Sequence, residues 1–155
     1  MLRETLLVVA AVLVLAEATD VKQCSNARSF DGIKQVEITN CDKAPCKLKR
    51  RTRVAIEERF IPDHDIKSLT TSVHASIVGV SLPFIGVDGS DACNNIYSTD
   101  NTKVGCPLTA GVEYIYKNEF PILDFYPKVS LVVNWALTEN NNIVTCFEMP
   151  SKITS

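Results

Sequence analysis

Lys128-Val129-Ser130-Leu131-Val132-Val133-Asn134-Trp135-Ala136-Leu137 puts Leu131, Val133, Trp135 and Leu137 on one side of an extended chain. Successive side chains of a strand point to opposite faces, so this spacing describes a strand with one buried face. Outward from it the same period recurs. Val54-Ala55-Ile56-Glu57-Glu58-Arg59-Phe60 places Val54, Ile56 and Phe60 together, and Val112, Tyr114 and Tyr116 form a third such face. Residues 33–39, 72–78 and 143–149 are rich in β-branched side chains. Between these runs stand Asp31-Gly32, Asp88-Gly89, Asn94-Asn95 and Asn140-Asn141-Asn142, all turn formers. No stretch after residue 18 reads as a capped amphipathic helix. About seven short strands then predict two antiparallel sheets packed face to face.

The start of the chain reads differently. Met1-Leu2-Arg3 is followed by an unbroken apolar run, residues 6–15, and by Ala16-Glu17-Ala18. That order is expected of a secretory signal peptide over 1–18, with the domain proper at 19–155. A buried N-terminal helix is the competing reading. The apolar run is too short to cross a bilayer, where about 20 residues are needed. Residues 19–155 number 137, enough for one domain with its own core. They carry 15 basic and 16 acidic side chains, a balance that gives no bulk attraction to nucleic acid.

Six cysteines follow the leader: Cys24, Cys41, Cys46, Cys93, Cys106 and Cys146. An oxidising compartment makes them a disulfide framework, and six cysteines allow 15 connectivities. Spacing ranks 24–146, 41–46 and 93–106 first. The second pair brackets a short turn, the third a polar stretch, and the first ties the ends. A zinc site is disfavoured by the lack of a Cys-x-x-Cys pair and by only two histidines. No metal or other cofactor is expected.

Two segments interrupt the alternation: Gly79-Val80-Ser81-Leu82-Pro83-Phe84-Ile85-Gly86 and Phe120-Pro121-Ile122-Leu123-Asp124-Phe125-Tyr126-Pro127. Proline cannot donate to a ladder, which predicts edges, strand ends or loops. Such apolar loops either cap the core or open an apolar cavity between the sheets.

The cysteine order, residues 79–84, Gly105-Cys106-Pro107-Leu108, Tyr126-Pro127-Lys128-Val129-Ser130-Leu131-Val132-Val133-Asn134-Trp135 and Cys146-Phe147-Glu148-Met149-Pro150 together resemble the lipid-recognition (ML) domain family. The likeness is greatest to its Niemann–Pick type C-two-like soluble sterol carriers, in an arthropod form related to the group 2 mite allergens. It covers essentially residues 20–154. It implies an immunoglobulin-like β-sandwich with a sterol or fatty-acyl lipid held between the sheets. It also implies the disulfide pairing ranked first above. Carried over by position, the lining residues are Leu82, Pro83, Phe84, Pro121, Ile122, Tyr126 and Trp135, with Phe147 where the mammalian carriers have a second tryptophan. Plain core packing is the other reading of Trp135 and Phe147. Implied partners are the lipid and a membrane surface or membrane sterol acceptor protein. Family members that bind microbial lipids, such as lipopolysaccharide, supply an alternative role in innate immunity.

Other residues fit these readings less simply. Glu58 shares the parity of Val54, Ile56 and Phe60, where the family pattern is apolar. A rim or bulge position is expected, because a lone buried carboxylate is costly; the alternative is a hold on a ligand's hydroxyl or headgroup. Lys47, Lys49, Arg50, Arg51 and Arg53 read as a solvated strand edge or as a contact for anionic lipid or sulfated glycan. Asp63-His64-Asp65 beside Pro62 reads as a turn and His74 as a surface strand residue; the resemblance also implies that His74 lies near the cavity mouth, as a membrane or acceptor contact. Gly-x-Ser-x-Gly, His-Glu-x-x-His and phosphate-loop patterns are missing, so no enzymatic chemistry is expected. The chain contains no Asn-x-Ser/Thr site. Glycan-dependent lysosomal delivery, implied for mammalian relatives, is therefore closed to it, and secretion to extracellular fluid is expected.

Overall fold

The computed structural model describes residues 18–25 and 32–155. Residues 1–17 of the signal peptide expected over 1–18, and Asp31 of the first expected turn, lie outside the described residues. Ten strands follow in chain order: β1 Lys22–Gln23, β2 Ile33–Ile38, β3 Cys46–Lys49, β4 Thr52–Phe60, β5 Thr70–Ile77, β6 Val80–Pro83, β7 Ile96–Tyr97, β8 Tyr114–Ile122, β9 Ser130–Glu139 and β10 Asn142–Thr154. They form two sheets, β1-β10-β9-β5-β6 with β3 on β10, and β2-β4-β8-β7. All pairings are antiparallel except β3 with β10, which runs parallel. The protein is an all-β sandwich.

The six long runs expected from the sequence are six strands here: β2, β4, β5, β8, β9 and β10. The four further strands, β1, β3, β6 and β7, are two to four residues long. Such pieces are too short to show a period of their own. Val112, expected on the face of Tyr114 and Tyr116, precedes β8 and is exposed.

The inner faces follow the alternation. Val54, Ile56, Glu58 and Phe60 of β4 and Tyr114, Tyr116, Phe120 and Ile122 of β8 look across to Leu131, Val133, Trp135 and Leu137 of β9. The opposite parity of β9 and β10 carries Ala136 and Cys146, which with Cys24 form a small cluster of their own. Three disulfides close the frame, Cys24–Cys146, Cys41–Cys46 and Cys93–Cys106, the pairing that spacing ranked first. No cysteine among the described residues is free.

Two hairpins turn in two residues. Asn140 and Asn141, both with positive φ, join β9 to β10. Val78 (φ 49°) and Gly79 (φ 78°) join β5 to β6. Positive φ at both central residues is the twist-compatible hairpin geometry. Asparagine and glycine adopt it readily, whereas a β-branched valine is strained there.

Candidate functional site

The two proline-bearing segments meet at one end of the sandwich. The first is the edge strand β6 and the loop after it. β6 pairs only with β5, so Pro83 takes nothing from a central ladder. The second begins in the last residues of β8, beyond the reach of β7, which pairs only with Tyr116 and Ile115. Both placements are the edge and strand-end positions that proline predicted.

Between them opens an apolar cleft of about 370 Å3. Leu82, Pro83, Phe84 and Ile85 form one wall, Tyr126 and Pro127 the other, and Ala75, Ile77, Leu131 and Ile153 of the first sheet the floor. The Phe84 N–H donates to the Val73 carbonyl at 2.9 Å, which fixes the ring over the entrance. That ring meets Tyr126 edge-on at 5.9 Å and Phe120 at 5.2 Å. Phe120 touches Trp135 at 5.4 Å, and Trp135 touches Tyr116 at 6.3 Å. A continuous aromatic row therefore runs from the entrance into the centre of the sandwich.

Leu82, Pro83, Phe84 and Tyr126 thus line the opening. Ile122 is buried in the adjoining core. Trp135 and Phe147 are cross-strand partners, both fully buried behind Phe120. Pro121 stands apart: it follows the parity of Glu119 and lies opposite Arg53, turned from the face of Phe120 and Ile122. One residue of strand register separates the two faces, so Pro121 cannot share their side.

Side chains around the entrance are apolar and exposed. Leu82 and Ile85 lie on its wall, Phe125 (73 % exposed) packs on Tyr126, and Val78 (98 %) and Val80 extend along the β5–β6 hairpin. The basic run 47–53 divides. Arg51 pairs with Asp124 at 2.7 Å and Arg53 with Glu119 at 2.6 Å, while Arg50 donates to the carbonyls of Asp124 and Tyr126. The Arg51 guanidinium holds the Asp124 carboxyl below the usual carboxylate range. Arg50 and Arg51 thus tether the second loop, Arg53 bridges to the adjacent strand β8, and Lys47 and Lys49 remain as the solvated edge. Pattern reading missed this because Asp124 and Tyr126 are over 70 residues away.

Glu58 departs from the expected rim position. It is fully buried, opposite Val36 on β2 and Tyr116 on β8. Desolvation pushes its carboxyl up to about 7, opposed in part by the Thr145 hydroxyl. That hydroxyl lies near, yet neither carboxyl oxygen is in hydrogen-bond geometry with any partner. Burial likewise pushes the neighbouring Tyr116 phenol up to about 12. The phenol shares a 2.9 Å bond with the Thr71 hydroxyl and accepts from Asn118 Nδ2 at 2.8 Å.

The remaining candidates are structural. His64 bonds Asp63 at 2.6 Å and Glu139 at 3.1 Å, and Asp65 accepts from the Ala110 N–H, so the triplet folds a bend. His74 is half-exposed beside Pro83 at the entrance. No cluster of three or more His, Cys, Asp or Glu among the described residues suits a metal ion. A larger depression of about 640 Å3 lies beside Cys93 and Cys106, but Lys67, Ser68, Asp91 and Asn94 give it a polar wall. An apolar chain has nothing to gain there.

Comparison with known proteins places this geometry. Residues 18–153 match the family model of the ML domain. The chain is 34 % identical over 157 residues to the NPC intracellular cholesterol transporter 2 homolog a of Drosophila melanogaster, covering 99 % of each. Its backbone resembles the crystal structure of a Niemann-Pick type C2 protein from the Japanese carpenter ant, with a TM-score of 0.72 and 24 % identity over 87 % of this chain and 99 % of that one. Chicken MD-1 complexed with lipid IVa is a more distant likeness in fold, with a TM-score of 0.51, 16 % identity and coverage of 84 % and 85 %. On the family match over nearly all of its described length, this chain belongs to the ML-domain family, whose members are non-enzymatic.

Proposed function

We propose that the protein is a carrier of sterols or related lipids, taken up through the cleft between the two proline loops and held between the sheets. The observation that carries the reading is the cleft itself: about 370 Å3 with apolar walls throughout, at the head of a buried aromatic row. Ligand cavities of small amphiphiles begin at about 300 Å3. Each CH2 transferred from water into such walls contributes about 0.8 kcal/mol. On entry the lipid displaces Phe84 from Phe120 and runs along Ile122, Trp135 and Phe147. The name of the Drosophila relative, a cholesterol transporter, supports the same ligand class.

Release and loading occur at a membrane surface or at a membrane sterol acceptor. The apolar collar of Val78, Val80, Leu82, Ile85 and Phe125 supports this, since a patch of that kind gains by leaving water. Removal of a leader over residues 1–18 leaves Thr19 as the first residue. Thr19 is buried, and its N–H donates to the Val36 carbonyl, which supports a domain that begins there. Secretion to extracellular fluid, rather than residence in lysosomes, follows from the leader and from the missing glycosylation site.

Native mass spectrometry of the protein secreted from host cells, with fluorescent sterol titration, tests the reading. Bound sterol or fatty acid is expected. Phe84→Ser and Ile122→Asn each place a polar group against the ligand at a cost of about 1–3 kcal/mol, so affinity falls at least several-fold with the fold intact. Unchanged affinity in both variants, with normal melts, would overturn it. The MD-1 likeness supports a second reading, recognition of microbial lipid; capture of lipid A in preference to sterol would favour that one.

A further inference from the structure

Of the five buried side-chain polar atoms without a hydrogen-bond partner among the described residues, four belong to Glu58, Thr145 and Trp135. They come from both sheets and converge. Glu58 and Tyr116 are cross-strand neighbours, the Tyr116 ring meets Trp135 at 6.3 Å, and Thr145 is close enough to bias the Glu58 carboxyl. Thr145 also follows a β-bulge in β10, between Ile143 and Thr145, which re-aims the strand there. Thr145 lies near the Glu58 carboxyl and Trp135 Nε1 near the Tyr116 phenol, yet none of the four atoms reaches hydrogen-bond geometry, and burial in that state costs stability. A ligand that brought the partners would offset that cost.

The group that fits can be read from the donors. Trp135 Nε1–H only donates, the Thr145 hydroxyl does both, and Glu58 accepts or, when protonated, donates. A hydroxyl accepts from Trp135 and donates to Glu58 or Thr145. A carboxylate would face another acid, and a cation would find only one counter-charge in an apolar surround. The position is also suitable. Val54, opposite Phe120, marks the inner side of the entrance, and Glu58 lies four residues farther along β4, about 13 Å at strand spacing.

We propose that Glu58, Thr145 and Trp135 form a subsite for a hydroxyl carried on the inserted end of the lipid, making the preferred ligand a sterol hydroxylated on its side chain. This rests on the carrier reading above. The test is equilibrium titration of the full secreted chain with cholesterol and with 25-hydroxycholesterol, in wild type, Glu58→Leu, Glu58→Gln and Thr145→Val. The hydroxylated sterol binds wild type about tenfold more tightly, the effect of one buried hydrogen-bonded group. Glu58→Leu and Thr145→Val bring the ratio near one while cholesterol affinity holds or rises. Glu58→Gln, which keeps a donor and an acceptor in place, retains most of the preference and covers the case in which the leucine variant folds poorly. A wild-type ratio near one, unmoved by the variants, overturns the subsite and leaves the carrier standing; the polar atoms then serve internal water. Failure of wild type to bind either sterol overturns both.

Discussion

Glu58 shows how one residue can set the pH response of a fold. Its carboxyl sits at about 7 in the folded protein because burial penalises the charged form, against an ordinary 4.5. Tyr116, the titratable group beside it, stays neutral through that range. The folded state therefore holds a proton that the unfolded chain releases. Stability from this group is full below about pH 4.5 and falls as pH rises toward 7, by on the order of 3 kcal/mol. Glu58→Gln removes that slope. Denaturant melts of wild type and variant at pH 4.5, 6 and 8 are expected to diverge with rising pH, the variant being more stable at pH 8. Parallel curves would place the Glu58 carboxyl in contact with water.

At the scale of elements, the β5–β6 hairpin carries the entrance. Its tip residue Val78 holds a left-handed backbone and is 98 % exposed, so it gains nothing from packing. A β-branched residue there costs about 1–2 kcal/mol. Val78→Asn relieves the strain and is expected to raise stability by about 1 kcal/mol, read by thermal melt, since asparagine adopts this conformation more easily. If the apolar collar meets membranes, the same change slows sterol transfer between vesicles without changing equilibrium affinity. A variant that melts lower and transfers normally would remove both the strain and the membrane role.

For the whole molecule, the disulfides differ in reach. Cys24–Cys146 spans 122 residues and ties β1 to β10 on the outside of the sheet, whereas Cys41–Cys46 spans five. Loop-closure entropy ranks them accordingly. Joint replacement of Cys24 and Cys146 by serine is expected to cost about 2–5 kcal/mol, and that of Cys41 and Cys46 less. Equilibrium denaturation compares them directly; an equal loss would show that native-state contacts, not loop length, govern both.

The all-β architecture, the six long strands and the disulfide order were legible in the chain because period-2 alternation, turn residues and cysteine spacing are local signals. So was the edge character of the two proline segments, since a missing N–H excludes a central ladder position. What lay beyond the sequence depends on which strand faces which. Pro121 and Ile122 are adjacent, yet only strand register separates an outward proline from an inward isoleucine. Arg50 and Arg51 look like a free basic run until Asp124 and Tyr126 are brought beside them. Glu58 has the parity of a core residue and the chemistry of a surface one. Only the packing of one sheet on the other resolved that conflict, by burying the carboxyl beside Tyr116 of its own sheet and near Thr145 of the facing one.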